Sequence, residues 1–518
     1  MAAIDGEHLQ PPSVLFEYAE DSTTAREPTG REAFRDLQLE QIVAAVTAGR
    51  AEYDLAPLFR AAASSPETVA YRHEVARDLE TVAVARTVRD FAARMVSTRT
   101  GLRQARSLHH ELQRQRWQLT AAATYCQAVA GLSAGLDASP LESRALLALR
   151  GYLRQHVDSA AFQGLNAEAV RLTADLERVR YQLHLKRSAV VVSRSADESD
   201  YSAEIDAVFA RFRQGEARDY RIAVESSPEV NQLEGAILDR VARLHPETFD
   251  ALRRFADRHR SFLDSGVTRF DREVQVYLSY FDHIRPLREA GLPFCYPAVG
   301  GSKALRATGT FDLALAAAAV AEGRDVVRND FHLDGAERIF VVTGPNQGGK
   351  TTFARTFGQL HHLAALGLPV PGEQARLFLF DRLFTHFGRE EDPEDLRGKL
   401  KDDLVRTRAI LDRASSDSIV IMNEVFNSTT LRDATVIGRR VLTEIAARDL
   451  LCVFVTFIDE LAAPDGVTVS LVSTVDPADP AIRTYRVVRA PADGRAYAAA
   501  IAAKYRLSYQ DLRTRLTR

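Results

Sequence analysis

Four residues at fixed spacing carry the strongest chemistry in this chain. Gly344, Gly349, Lys350 and Thr351 fit the pattern GxxxxGK[ST] inside VVTGPNQGGKTTFAR, residues 341–355. Glycine lets backbone amides approach phosphate oxygens, the lysine neutralises the β and γ phosphates, and the hydroxyl ligates magnesium. The expected cradle for a polyphosphate runs from Gly344 through Pro345, Asn346, Gln347, Gly348 and Gly349 to Lys350, Thr351 and Thr352. The other half of such a site is an apolar strand ending in acid. SIVIMNE, 418–424, supplies one, with Asn423 where a magnesium-side aspartate is expected. Glu424 follows, placed to orient or deprotonate an attacking water. Glu424 and Lys350 are the catalytic candidates, Thr351 and Asn423 the metal candidates. Asn423 lacks a charge, so weaker metal binding and slow hydrolysis are expected.

These groups need a strand before the glycine loop and a helix after it. Residues 339–342 read as that strand and 352 onward as that helix, with its N-terminus aimed at the anion. Short apolar runs, IFVVTG, RLFLFDRLFTHF, SIVIMNE and LLCVFVTF, alternate with helical stretches. That alternation predicts an α/β domain with a largely parallel sheet. VTVSLVSTV and RTYRVVRA read as a strand pair, followed by a helix from about Gly494. GLPFCYPAVGGSKALRATGT marks a boundary near 291. Upstream, good helix formers dominate, with long segments at 76–119 and 166–187. AVVVSRSADESDYSAEI, 189–205, reads as a turn or small insertion between two long helices. The expected organisation is a polar lead-in (1–30), a mainly α-helical core and lever (31–290, with an insertion inside 186–225), and a P-loop α/β domain (291–518).

Bulk properties set limits. The 518 residues are 46% hydrophobic and 26% charged, values that suit a globular protein with real cores. The net charge of −3 gives no bulk positive field, so contact with nucleic acid would need a local patch. Cys126, Cys295 and Cys452 are scattered, which suggests neither a disulfide frame nor a zinc site. No run of about 20 apolar residues exists, and no membrane role is expected. The start, MAAIDGEHLQPPS, lacks the apolar core of a secretory signal.

TGPNQGGKTT, with Pro345 and Asn346 inside the loop, resembles the MutS family of mismatch-repair ATPases. LGLPVPGEQARL (366–377) matches the segment where that family's chain leaves the first ATPase helix, and DRLFTHFG (381–388) its next strand. NEVFNSTTLRDA (423–434) sits where the family has an acidic pair and a hydroxyl-rich loop. VTFIDELA (455–462) sits where the family reads THxxEL, with Phe457 in place of the histidine; Phe457 reads as a core residue. SSPETVAYRHEVARDL (64–79) and FDREVQVYLSYF (270–281) resemble parts of the helical core and lever. The likeness covers about 35–510, strongly in its last part.

The resemblance implies ATP and Mg2+ as cofactors, hydrolysis to ADP and phosphate, and two nucleotides sandwiched in a homodimer of ATPase domains. One subunit would bring the loop at 344–351 and Glu424. The other would bring a signature segment, here RGKLKDDL (397–404), with Gly398 and Lys399 where the family favours serine and threonine. Ser428 and Thr429 would form a second element in trans. Leu400, Leu404, Thr407 and Leu411 along one face support a helix there. His361 and His362, after the loop, read as packing or surface residues. The family's mismatch-reading domain finds no room before residue 35, and no nuclease-like tail is expected.

The favoured reading is a cytoplasmic (nucleoid-associated, if bacterial), ATP-gated clamp on duplex or branched DNA in repair or recombination, with other repair proteins as further partners. The basic residues at 186–221, from Lys186 and Arg187 to Arg221, are its expected DNA contact. The alternative is an ATP-driven switch acting on a protein or RNA assembly. A soluble subunit of an ABC-type transporter and a small-molecule kinase fit less well, because of the long helical half and the lack of a lid.

Overall fold

A computed structural model describes residues 11–17, 29–186, 189–195, 232–388, 398–479, 482–492 and 513. The chain sorts into two compact units. One comprises Met1–Pro11, Glu80–Leu141 and Leu146–Asp271; the other comprises Pro12–Leu79, Glu142–Ala145 and Arg272–Arg518. The change of texture at 291 therefore falls inside the second unit.

The first unit is mainly helical. Its centre is α4 (Val82–Ser107) against α5 (Glu111–Asp137), following α1 (Arg31–Asp36), α2 (Leu39–Thr47) and α3 (Pro66–Glu80) of the second unit. The segment 76–119, expected as one long helical stretch, is broken at Thr81 and again at 108–110. The α4–α5 pair is antiparallel and tight. A Cβ on Gly101 would lie 3.3 Å from the Ala121 Cβ, and one on Gly135 would lie 2.3 Å from the Thr87 methyl. Val88, Phe91, Met95, Leu119, Tyr125 and Val129 are all buried. α6 (Arg144–Asp158) and α7 (Ala160–Glu177) follow.

Helix was expected to run to 187, but it stops at Glu177. β1 (Tyr181–Lys186) pairs antiparallel with β2 (Ala189–Arg194). The alternating YQLHLK and the β-branched AVVV favour strands over a helix, and Tyr181, Leu183 and Val191 are exposed on this ribbon. α8 (Gln232–Leu244), α9 (Pro246–Arg258) and α10 (Ser265–Glu289) complete the helical part. Most of the expected insertion and its basic residues, and the helix from Gly494, lie outside the described residues.

In the second unit, β3 (Phe294–Cys295), β4 (Ala298–Gly300), β5 (Leu305–Thr310), α11 (Leu313–Ala321) and β6 (Asn329–Leu333) precede the glycine loop. Then come β7 (Ile339–Thr343), α12 (Lys350–Ala365), β8 (Val370–Pro371), β9 (Gln374–Phe378), β10 (Leu383–Phe387), α13 (Lys399–Arg413) and β11 (Ile419–Asn423). α14 (Leu431–Ala447), β12 (Leu451–Val455), β13 (Thr468–Val475) and β14 (Arg483–Arg489) close the described part. The main sheet has the order β10-β11-β12-β7-β13-β14, parallel except for β14. β7, β10 and β12 are buried along their whole length, as expected for parallel strands covered on both faces. RLFLFDRLFTHF splits between two sheets, with β9 in a four-stranded sheet β4-β9-β5-β6. Among the described residues, no helix is long and apolar enough to cross a membrane.

Candidate functional site

β7 delivers the chain into the glycine loop at the carboxyl edge of the sheet, where parallel α/β sheets form crevices. An aromatic cluster fixes the helix that leaves the loop. Phe353 and Phe357 of α12 pack on Phe340 of β7 and Phe331 of β6, with ring centroids 5.3–6.1 Å apart. Each ring buried this way is worth roughly 1.5–3 kcal/mol.

Two loop glycines answer to a neighbour the sequence did not reveal. Gly344 has φ 113°, and a Cβ there would lie 2.5 Å from the Ser473 Oγ and 2.7 Å from its carbonyl oxygen. A Cβ on Gly348 would meet the same Oγ at 2.5 Å. Ser473 of β13 thus presses on the loop from behind. Gly349 caps α12.

Lys350 is buried. Its Nζ donates to the Gly344 oxygen at 2.9 Å, the Pro345 oxygen at 3.1 Å and the Asn346 Oδ1 at 3.4 Å. Burial lowers its proton affinity; Glu424, whose Oε1 is 3.9 Å away, opposes this, and Arg483 adds to it. The Arg483 Nε donates to the Asn346 oxygen at 3.2 Å. The Thr351 Oγ1 donates to the Asn423 Oδ1 at 3.0 Å. Thr351, Asn423, Lys350 and Glu424 are therefore brought together, although 72 residues separate the first two.

The turn after β11 is strained. Glu424 has φ 52° and Phe426 φ 63°, left-handed values that cost side-chain-bearing residues about 1–3 kcal/mol each. Gln347 in the glycine loop has φ 60°. Such strain concentrates at functional sites.

A cleft of about 410 Å³ opens at this point. Residues from Gln347 to Thr352 and Glu424 line it, together with apolar Phe311, Leu315, Ala319, Val326 and Val327, and with Tyr485. That apolar wall escaped the sequence reading, which found only that no run of about 20 apolar residues exists. Asp312 builds the wall by capping α11: its Oδ1 accepts from the Leu315 amide at 3.0 Å and from Gln359 Nε2 at 3.1 Å. Burial pushes its carboxyl up.

Gly398, Lys399, Ser428 and Thr429, the residues expected in trans, do not line this cleft. Gly398 is exposed at the N-terminus of α13, where no side chain caps the helix, and Lys399 is half-buried. Ser428 is exposed and Thr429 half-buried, while the Thr430 side chain caps α14. The helix expected from Leu400, Leu404, Thr407 and Leu411 is present as α13. Of these, Thr407 and Leu411 are buried and Leu400 packs partly buried against the core, while Leu404 is 40% exposed; Asp403 and Ile410 are buried as well.

Phe457 is a correction: it was expected in the core. It is 49% exposed, because β12 ends at Val455 and the following turn sends Ile458 and Leu461 inward. His361 and His362 are buried packing residues, with burial lowering each to about 4. His361 Nδ1 meets the Phe357 oxygen, and His362 bridges Thr29 and Phe59. Of the basic residues expected at the lever tip, Arg194 donates to the Leu244 oxygen at 2.6 and 3.1 Å. Lys186 ends β1, and the rest lie outside the described residues.

Residues 340–504 match the family model described as MutS domain V. The chain is 39% identical over 147 residues to the DNA mismatch repair protein MutS of Zymomonas mobilis, covering 28% of this chain and 17% of that protein. Against the protein of the same name from Thermotoga neapolitana it is 35% identical over 138 residues, 27% of this chain and 17% of the relative. Against that of Erythrobacter litoralis the figures are 34% over 176 residues, 34% and 20%. The matched stretch spans no more than a fifth of the length of these relatives.

Proposed function

Because this chain belongs to the MutS family through its C-terminal region, we propose that it binds and hydrolyses ATP and works as an ATP-gated homodimer on DNA. The observation that carries the reading is the meeting of Lys350, Thr351, Asn423 and Glu424 at one cleft. In this reading the loop amides and Lys350 hold the polyphosphate, and the apolar wall with Tyr485 takes the base. Glu424 orients the attacking water and accepts its proton. Thr351 and Asn423 offer two neutral oxygens to Mg2+, which suits an ion that keeps most of its waters and shares phosphate oxygens. When bound, Mg2+ would neutralise charge developing on the phosphates.

Dimerisation is supported by large apolar side chains left exposed on the elements expected in trans. Leu404 and Val405 of α13, Leu431 and Val436 of α14, and Phe457 are 40–63% exposed. Exposed apolar area of this kind marks interaction surfaces. DNA contact is supported by local charge. Residues 82–118 hold eight arginines against two acids, in a chain of net charge −3. Arg86, Arg94, Arg103 and Arg106 of α4 are exposed, and such a surface binds phosphate through counterion release.

The test is a sizing run of the full chain with and without ATP, each with and without labelled duplex and branched DNA. ATP-dependent doubling of mass and salt-sensitive DNA comigration are expected. A monomer under all conditions would defeat the sandwich; DNA that never comigrates would defeat the clamp. Asn423→Asp should tighten Mg2+ binding about tenfold by adding a ligand charge and should raise turnover. A magnesium titration of ATP turnover reads both, and no change in either would count against Asn423 as a metal-side residue.

A further inference from the structure

α13 carries a carboxylate into the interior of the second unit. Asp403 is 4% exposed, His386 of β10 is fully buried, and Thr407 is 3% exposed. The His386 Nε2 lies 3.0 Å from the Asp403 Oδ1, and its Nδ1 lies 3.2 Å from the Thr407 Oγ1. A carboxylate only accepts, so Nε2 donates to it, and Nδ1 shares a hydrogen bond with the Thr407 hydroxyl. The second Asp403 oxygen, Oδ2, accepts from the Phe426 amide at 3.3 Å.

That amide belongs to the left-handed turn that carries Glu424. On the strand side the turn is tied by backbone bonds: the Glu424 amide donates to the Val455 oxygen at 2.9 Å, and the Gly388 amide to the Asn423 oxygen at 3.0 Å. On the other side of Glu424, Asp403 makes the tie. It sits five residues along from Gly398, little more than one helical turn. The ring of His386, held between Asp403 and Thr407, fixes the carboxylate against rotation.

We propose that Asp403 and His386 are positioning residues for ATP hydrolysis, locking the turn that aims Glu424 and tying it to the helix that begins at Gly398. The assignment rests on the reading of Glu424 as the group that activates water. Neither residue lines the nucleotide cleft, so their loss should spare nucleotide binding and slow the chemical step. Misplacing a reacting group by about 1 Å costs on the order of 100-fold in rate.

Steady-state ATP turnover of the full chain tests this with Asp403→Ala, His386→Gln and Asp403→Asn, each followed by thermal melting. Asp403→Ala and His386→Gln should lower kcat roughly 10–100-fold, with KM for ATP unchanged. Asp403→Asn should recover most of the loss: its oxygen can still accept from Phe426, and its amide can donate to His386 in the other tautomer. A kcat near wild type in the first two variants would overturn the assignment. So would a parallel collapse of kcat and nucleotide affinity, which marks general disruption, and so would failure of Asp403→Asn to rescue. If Asp403→Ala does not fold, the same split in His386→Gln decides. A wild-type chain without ATP turnover is a different result: it would sink the hydrolase reading itself, and the positioning role with it.

Discussion

Replacing Glu424 by Gln is expected to lower ATP turnover by about 10²–10⁴-fold, the usual contribution of a general base, while nucleotide still binds. The expectation follows from position. Glu424 lines the cleft with Lys350 and Thr351, and its carboxylate is about one-third exposed, so water reaches it. It contributes little to holding the loop, because the Lys350 ammonium takes its closer contacts from Gly344, Pro345 and Asn346. The amide of Gln keeps the size and loses the basicity. With hydrolysis blocked and binding spared, ATP should accumulate in the closed state, and sizing should show a stable ATP-dependent dimer. Phosphate release within tenfold of wild type would remove Glu424 from the chemistry. A monomer that binds ATP would leave the nucleotide in a single subunit.

The second large effect is expected at Lys350. Lys350→Ala should weaken ATP binding by about 10²–10⁴-fold, because two charge-assisted bonds to phosphate are worth roughly 3–6 kcal/mol. The ammonium donates to loop oxygens at 2.9–3.4 Å. The same group is therefore already aimed at the centre of the loop, desolvated by burial and held below its usual proton affinity. Phosphate oxygens would replace these acceptors. Equilibrium titration with a labelled nucleotide measures the loss, and a change of less than tenfold would mean that phosphate lies elsewhere. Together the two variants separate binding from chemistry: Lys350→Ala should abolish the ATP-dependent dimer that Glu424→Gln accumulates.

Asp403 and Phe457 both sit where hydropathy alone would not put them. Leu400, Leu404, Thr407 and Leu411 form a plausible apolar face when side chains are ranked by hydropathy alone. The interior also accepts Asp403, because His386 and the Phe426 amide meet its charge with hydrogen bonds. Phe457 follows a buried strand and would be counted inside by pattern, yet the chain turns after Val455 and leaves the ring exposed.

By itself the sequence determined the glycine loop, the strand before it and the helix after it, the apolar strands of the parallel sheet, and the acid after β11. Each of these is local: the spacing of a loop, the period of a strand or a run of helix formers needs only neighbours in the chain. Only the tertiary structure decided what lies beside them. Ser473 behind the loop, the apolar wall from 311–327, Tyr485 across the cleft and Asp403 under the Glu424 turn all arrive from distant segments. Their roles depend on packing in three dimensions, where one buried hydrogen-bonded charge outweighs the local preference for an apolar residue.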